Sequence, residues 1–550
     1  MDFEYPPLPA ATKTTGNGRR SESIHQQITE IDERYVVPNG YHDQDNASDG
    51  SSRSIYKIIS NNGDIVLEYT DPYPSVPRSR PVRYRWKVSS EHLMKNSPYF
   101  SALLDPNKFL EGKTFVEKKS EWSRRSKARI SNGEAVDDDL PVVKFNIDHP
   151  SRKLRIDVIE LFLKVLSLDS FGNDDREMAL LDENIKHQPV SLVAALIDLA
   201  DQFNSPRVVQ ETLKRSAYPF GKSRASLAKF TSSLSKLSEE RIRQAIYIAI
   251  CLDDNVVFQA STHALIILGS VYWVNGPGFP DPGTPRWSYL PNGIEEELYY
   301  RRQCVLNTIT DLQAHFLRAY GGLEDPLDLK TSVPHSSASS KSRPFQCRLS
   351  FSNSRACDAF HLGEITRFFA LRTKTIFLGS TLIDPGFDPG PELEIQANDQ
   401  SKGTNHTSKS STTGFQVNSA SSAVPPGDIL AIIASLRQVP DYQIDSNHTG
   451  CGIRRRLLPA LDCIEGFLCD SRGLLGLVLR VWKSSSRQMN SWMGRSLRRA
   501  EAVDLRYSKI VSIRGTPWHS LFPGPPLPPT TWHEDEARLF FTSRKRNWEA

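Results

Sequence analysis

A small α+β domain near the N-terminus, followed by a mainly α-helical region broken by disordered linkers, is the architecture this sequence predicts. Three observations lead there. Short β-branched apolar runs, clearest at Gly63–Tyr69 and Arg83–Val88, lie in the N-terminal part of the chain. Helical apolar spacing dominates the remainder of the chain. Pro, Gly, Ser and Asn gather in stretches between the ordered blocks, which fits 36 Pro and 31 Gly in 550 residues and a mean hydropathy of −0.43. A chain of this length exceeds one ordinary core and implies several ordered units.

Residues 1–54 are polar and aperiodic and are expected to be disordered, with order beginning near Tyr56. Gly63–Tyr69 follows a turn signal and reads as a strand; Arg83–Val88 alternates basic with apolar and reads as a half-buried second strand. The segment 71–81 is then a long hairpin loop. Ser89 and Ser90 are candidate helix caps, with Glu91 suited to the positive end of the helix dipole. Leu93, Met94, Tyr99, Phe100, Leu103 and Leu104 have helical spacing, and Pro98 divides them into two short helices. The charged stretch 113–139 cannot bury a face and is expected to be an inserted loop, with a shorter insertion at 171–188. Pro141–Ile147 reads as a third strand. Helices come next at Val158–Leu168 (started by Asp148 or Asp157), Val190–Phe203 and Val208–Ala217, the last introduced by Ser205-Pro206. Beyond this unit, 226–321 is expected to be helical around a Pro/Gly linker at 275–293. Leu323–Ser342 reads as a further linker, 344–383 as a helical segment, 384–426 as a disordered linker, 427–513 as a basic helical region and 514–550 as a Pro-rich tail.

The motifs G-D-I-V-L, then W-x-V-S-S-x-H-L-x-x-x-S-P-Y-F-x-x-L-L, then F-x-E-G, with a later strand and helix in order, resemble a BTB/POZ domain of the form common in fungal proteins. The resemblance covers about 60–218, interrupted by the two insertions, within a domain expected over 56–218. It implies a protein-interaction fold without catalytic activity that pairs with itself or another BTB protein through the helix pair around Leu93–Leu104 and the first strand. Asp64, His92, Leu93, Tyr99 and Phe100 are the expected contact residues. Asp64 also reads equally well as a turn or cap carboxylate. Phe109-Leu110-Glu111 stands where BTB adaptors of ubiquitin ligases dock on a cullin, Phe109 filling a groove and Glu111 pairing beside it. The alternative is a phenylalanine kept for packing. A weaker likeness to uncharacterised fungal BTB proteins extends through Tyr300–Arg302, Leu317–Tyr320, Cys347-Arg348, Ala356–Glu364 and Cys451–Ile464 and implies no activity.

Seven scattered cysteines make no disulfide framework, and with no apolar leader in the first twenty residues the expected setting is cytoplasm or nucleus. The sequons at Asn405 and Asn447 then read as chance matches. The longest apolar runs fall short of a membrane span. Cys347, Cys357 and His361 have zinc-like residue types, but C-x9-C-x3-H lacks a C-x2-C knuckle and a fourth ligand, so packing cysteines are the better reading, as for Cys463 and Cys469. Residues 450–510 carry twelve basic against five acidic residues. Lacking a recognition motif, that block reads as a solvated helical face, the alternative being a nuclear regulator that contacts nucleic acid through it. No phosphate loop, nucleophile–base pair or zinc-protease motif occurs, so neither an enzyme nor a cofactor is expected.

Overall fold

The computed structural model describes residues 54–71, 82–130, 140–144, 155–168, 175–273, 284–323, 345–348, 353–373, 428–483, 491–492, 505–506, 529–543 and 546–548. The hairpin loop at 72–81, the linkers at 324–342 and 384–426, and the proposed cap Asp148 lie outside these residues.

Helices dominate, and a small mixed sheet closes the N-terminal end. Strands β1 (Ser54–Ile58), β2 (Ile65–Thr70) and β3 (Arg83–Val88) are joined by β4 (Val142–Lys144) in the order β1-β3-β2-β4. The expected hairpin is present as an antiparallel β2–β3 pair, with Leu67 opposite Trp86. β2 is central and its Ile65–Leu67 run is buried, which is why it reads as a continuous apolar stretch. β1 pairs parallel with β3 and starts at Ser54, extending order two residues before the expected onset. β4 runs parallel to β2; of the expected strand Pro141–Ile147, residues 145–147 are not described.

Helices α1 (Ser90–Asn96) and α2 (Pro98–Leu103) meet at Pro98 as the spacing predicts. Ser89 Oγ accepts from the N–H of His92 and Ser97 Oγ from that of Phe100, so each start is capped. The next stretch departs from the expectation. Residues 113–130 belong to a continuous helix, α3 (Leu110–Ile130), and not to a loop. Its Lys, Glu, Arg and Ala content favours helix, and a narrow stripe through buried Gly112 and Phe115 and the stem of Lys119 is enough to anchor it. The second expected insertion likewise contains a helix, α5 (Asp175–Lys186), which buries Leu181 and Ile185 and pairs Asp182 with Arg215.

α4 (Ile156–Leu166) begins at Arg155, with Asp157 in its first turn rather than as its cap. α6 (Val190–Gln202) buries every residue from Leu192 to Ala200, so it is a central helix and not an amphipathic surface one. It packs on α4 on one side and on α9 (Glu239–Leu252) on another, after α7 (Pro206–Arg215) and the short α8 (Arg224–Leu227). α10 (Asn255–Leu268) and the long α11 (Ile294–Ala319) complete this layer. Part of the expected 275–293 linker is packed: Trp287 and Leu290 are buried, Trp287 against Tyr247. α12 (Ser354–Arg367), α13 (Ile429–Leu436), α14 (Arg454–Leu468) and α15 (Leu479–Lys483) come after it.

The expected Pro-rich tail is also corrected. It includes α16 (Pro529–Thr542), which docks on α11 and buries Ala537, Phe540 and Phe541. One apolar core therefore runs from the sheet to Trp548, without a gap at the expected boundary near residue 218. Among the described residues no helix is long and apolar enough to cross a membrane.

Candidate functional site

Two places concentrate chemistry: the junction of β2, α1 and α3, and a cysteine–histidine cluster beyond α11.

At the junction, Asp64 ends the turn after Gly63. A Cβ on Gly63 would lie 2.8 Å from both Lys87 Cγ and Val88 O, so the G-D motif needs glycine for close approach to β3. The Asp64 carboxylate accepts from the backbone N–H and the hydroxyl of Ser90, each at 2.7 Å, and from the Lys119 ammonium at 2.5 Å. Burial raises its pKa, but Lys119 and the two Ser90 donors outweigh that and hold the carboxyl below its usual range. The cap-carboxylate alternative thus describes its contacts: it fastens α1 and α3 to the sheet.

The other expected contact residues separate into two groups. Leu93 and Phe100 have no exposed surface and belong to the core, with Phe100 stacked on Phe203. They cannot form an intermolecular face, because helical spacing marks an apolar stripe without saying whether the same chain covers it. Tyr99 and His92 are half-buried, Tyr99 edge-on to Phe203 at 4.7 Å. Phe109 and Glu111 are exposed at the start of α3, as is Leu110. Gly112 fixes this start, since a Cβ there would lie 2.4 Å from the Asp105 carbonyl oxygen. An open groove of about 590 Å³ is lined by Met94, Leu104, Phe115 and Val116 together with the polar Ser101, Asp105, Lys119 and Ser120.

In the second place, Cys347, Cys357, His448 and Cys451 bring their ligand atoms within 4.8 Å of one another, and all four residues are buried. Cys357 lies on α12. The neighbouring Asp358 carboxylate accepts the backbone N–H groups of Gln346 and Cys347 at 2.9 and 3.0 Å, which holds Cys347 beside it. His448 ends a short 3-10 turn, Ser446–His448, capped by Asp445. Cys451 is reached through Gly450, whose φ of +77° a larger residue would resist. His448 Nδ1 lies 3.3 Å from Cys347 Sγ and 3.9 Å from Cys451 Sγ, while its Nε2 lies 2.9 Å from Asn353 Oδ1. Burial first, then the sulfurs of Cys451 and Cys347, push the Cys357 thiol up to about 12.

Cys347 and Cys357 are therefore buried as packing cysteines would be, yet they converge on one point. His361 is buried outside the cluster. The sequence reading missed His448 and Cys451, although H-x2-C between them is the knuckle spacing it sought near Cys357. Cys463 and Cys469 depart from the buried expectation, being half-buried and exposed.

Among the basic residues of 450–510 that are described, Arg454 and Arg456 are half-buried while Arg472 and Lys483 are exposed, and all four have partners within the chain. Arg454 bonds the Val439 carbonyl, Arg456 bonds Gln346 and Tyr320, Arg472 pairs with Asp470, and Lys483 bonds Ile250 and Asp253. No family model, curated protein or solved structure matches this chain.

Proposed function

We propose that the chain is a non-catalytic protein-interaction protein acting through a BTB/POZ-type unit at 56–218, with the start of α3 as its contact surface. The observation that carries this reading is the exposure of the adjacent Phe109 and Leu110, 50% and 76%. Adjacent large apolar side chains left in water are characteristic of a protein-binding surface. The order of elements supports the same reading: a β2–β3 hairpin, the capped pair α1 and α2, glycines at close approach in both motifs, and β4 alongside β2.

With Leu93 and Phe100 in the core, self-association falls to the sheet edge. β1 is an edge strand among the described residues and exposes Tyr56 and Ile58, 47% and 53%. The cullin-adaptor reading is favoured by a separate observation: Phe109 and Glu111, apolar and acidic, both stand in solvent at one helix start. Two measurements on the full chain test these readings. Sedimentation at rising concentration is expected to show a dimer that Ile58→Lys converts to monomer. A cullin N-terminal fragment is expected to be retained by wild type and lost with Phe109→Ala combined with Glu111→Ala. A monomer at all concentrations that also fails to retain the fragment overturns the proposal.

A further inference from the structure

We infer that Cys347, Cys357, His448 and Cys451 form a structural zinc site, a closed Cys3His set clamping the start of α12 to the loop before α14. The donor chemistry is that of zinc: three thiol sulfurs and one imidazole nitrogen, with no carboxylate among them. The dimensions agree. Tetrahedral zinc with bonds of about 2.0–2.3 Å sets neighbouring ligand atoms roughly 3.5–3.8 Å apart. Here His448 Nδ1 stands 3.3 and 3.9 Å from two sulfurs, and the whole set fits within 4.8 Å, room for a single ion.

The surroundings are arranged as ligand supports. Asn353 Oδ1 accepts from His448 Nε2–H at 2.9 Å, which leaves the Nδ1 lone pair facing the sulfurs. Each half of the set is held locally: Asp358 fixes Cys347 near Cys357, and the Asp445 turn with Gly450 fixes His448 near Cys451. The halves are then drawn together by Arg456, which donates to Gln346 Oε1 at 2.8 Å and to the Tyr320 hydroxyl at 3.1 Å. Tyr320 in turn donates to the Cys451 carbonyl at 2.6 Å. Such supports position the donors before any ion arrives, which lowers the entropic cost of ligation.

The three cysteines contact one another as a buried cluster separate from the large core, whose apolar residues nearby include Ile365 and Ile453. A metal bridging residues this far apart in sequence closes a long loop, where cross-linking removes most entropy from the unfolded chain. Four protein ligands leave no open position, so the ion has a structural and not a hydrolytic role.

The test uses the full chain, expressed with zinc and purified under reductant without chelator, with metal content measured by mass spectrometry. A single zinc ion per chain is expected. Cys357→Ser and His448→Ala should each lose it, while Cys463→Ser, outside the set, keeps it. Absence of zinc from the wild type, zinc retained by both ligand variants, or a disulfide between two of the three cysteines would each overturn the site. Should the variants not fold, cobalt exchanged into wild type decides. Tetrahedral visible bands with thiolate charge transfer are expected, and an octahedral spectrum without thiolate bands refutes the assignment.

Discussion

Lys119 of α3 sets its ammonium 2.5 Å from Asp64, whose remaining hydrogen bonds both go to Ser90 at the start of α1. One carboxylate thereby joins the β2 turn to two helices. Because its pKa is depressed in the folded protein, the unfolded chain takes up the proton first as pH falls. The stabilisation is therefore complete above the unfolded value of about 3.9 and is lost as pH drops through the folded one. In denaturant titrations, wild type should exceed Asp64→Asn at pH 7 and converge with it under acid conditions. Lys119→Met, which keeps the stem over Phe115, should cost only about 1 kcal/mol, because the ammonium is partly solvated.

His263 is buried, its Nε2 donating to the Leu468 carbonyl at 2.9 Å and its Nδ1 accepting from the Leu475 N–H at 3.1 Å. Burial lowers its pKa to about 4. The neutral ring is the folded form, and the unfolded chain binds the proton from about pH 6.5 downward. Between those values stability should fall by roughly 3 kcal/mol through this group alone. Chemical denaturation from pH 7 to pH 4 should show that slope in wild type and its loss in His263→Gln.

Arg243 and Glu295 form a two-pronged ion pair at 2.7 and 2.9 Å with both side chains 1% exposed. Trp273 Nε1 and the Leu290 N–H also donate to Glu295, so this pair seats the 286–290 segment against α9 and α11. Glu295→Ala leaves Glu239, 2.7 Å away, as the carboxylate of the buried guanidinium, and should cost about 3 kcal/mol. Arg243→Met combined with Glu295→Leu should cost less than the sum of the single changes, as read from a double-mutant cycle of unfolding free energies.

Phe541 of α16 is 2% exposed, stacked near Trp492 and edge-on to Phe467. Phe541→Ala should lower stability by about 3–5 kcal/mol, measured by denaturant unfolding. If the C-terminal segment were a solvated tail, the same change would leave the unfolding midpoint in place.

Local chemistry was enough for the sheet hairpin, the Ser89 and Ser97 caps, the break at Pro98 and the helices around Val158, Val190 and Val208. Each depends on neighbours within a few residues, so periodicity and turn residues reveal it. The sequence also marked Asp64, Gly63, Phe109 and Gly112 as special. Residues 113–130 are helical despite their charge, because a helix needs only a narrow apolar stripe, and 175–186 form a helix within the expected second insertion.

What only the tertiary structure decided were relations between distant residues. Leu93 and Phe100 are covered by their own chain, whereas Phe109 is not. The segment ending at Phe541 returns to α11. Cys357 finds His448 and Cys451 rather than His361. Apolar spacing records that a side chain seeks cover and cysteine chemistry that it seeks a ligand. Which partner supplies either depends on how helices far apart in the chain cross, and that is set by packing of the whole core.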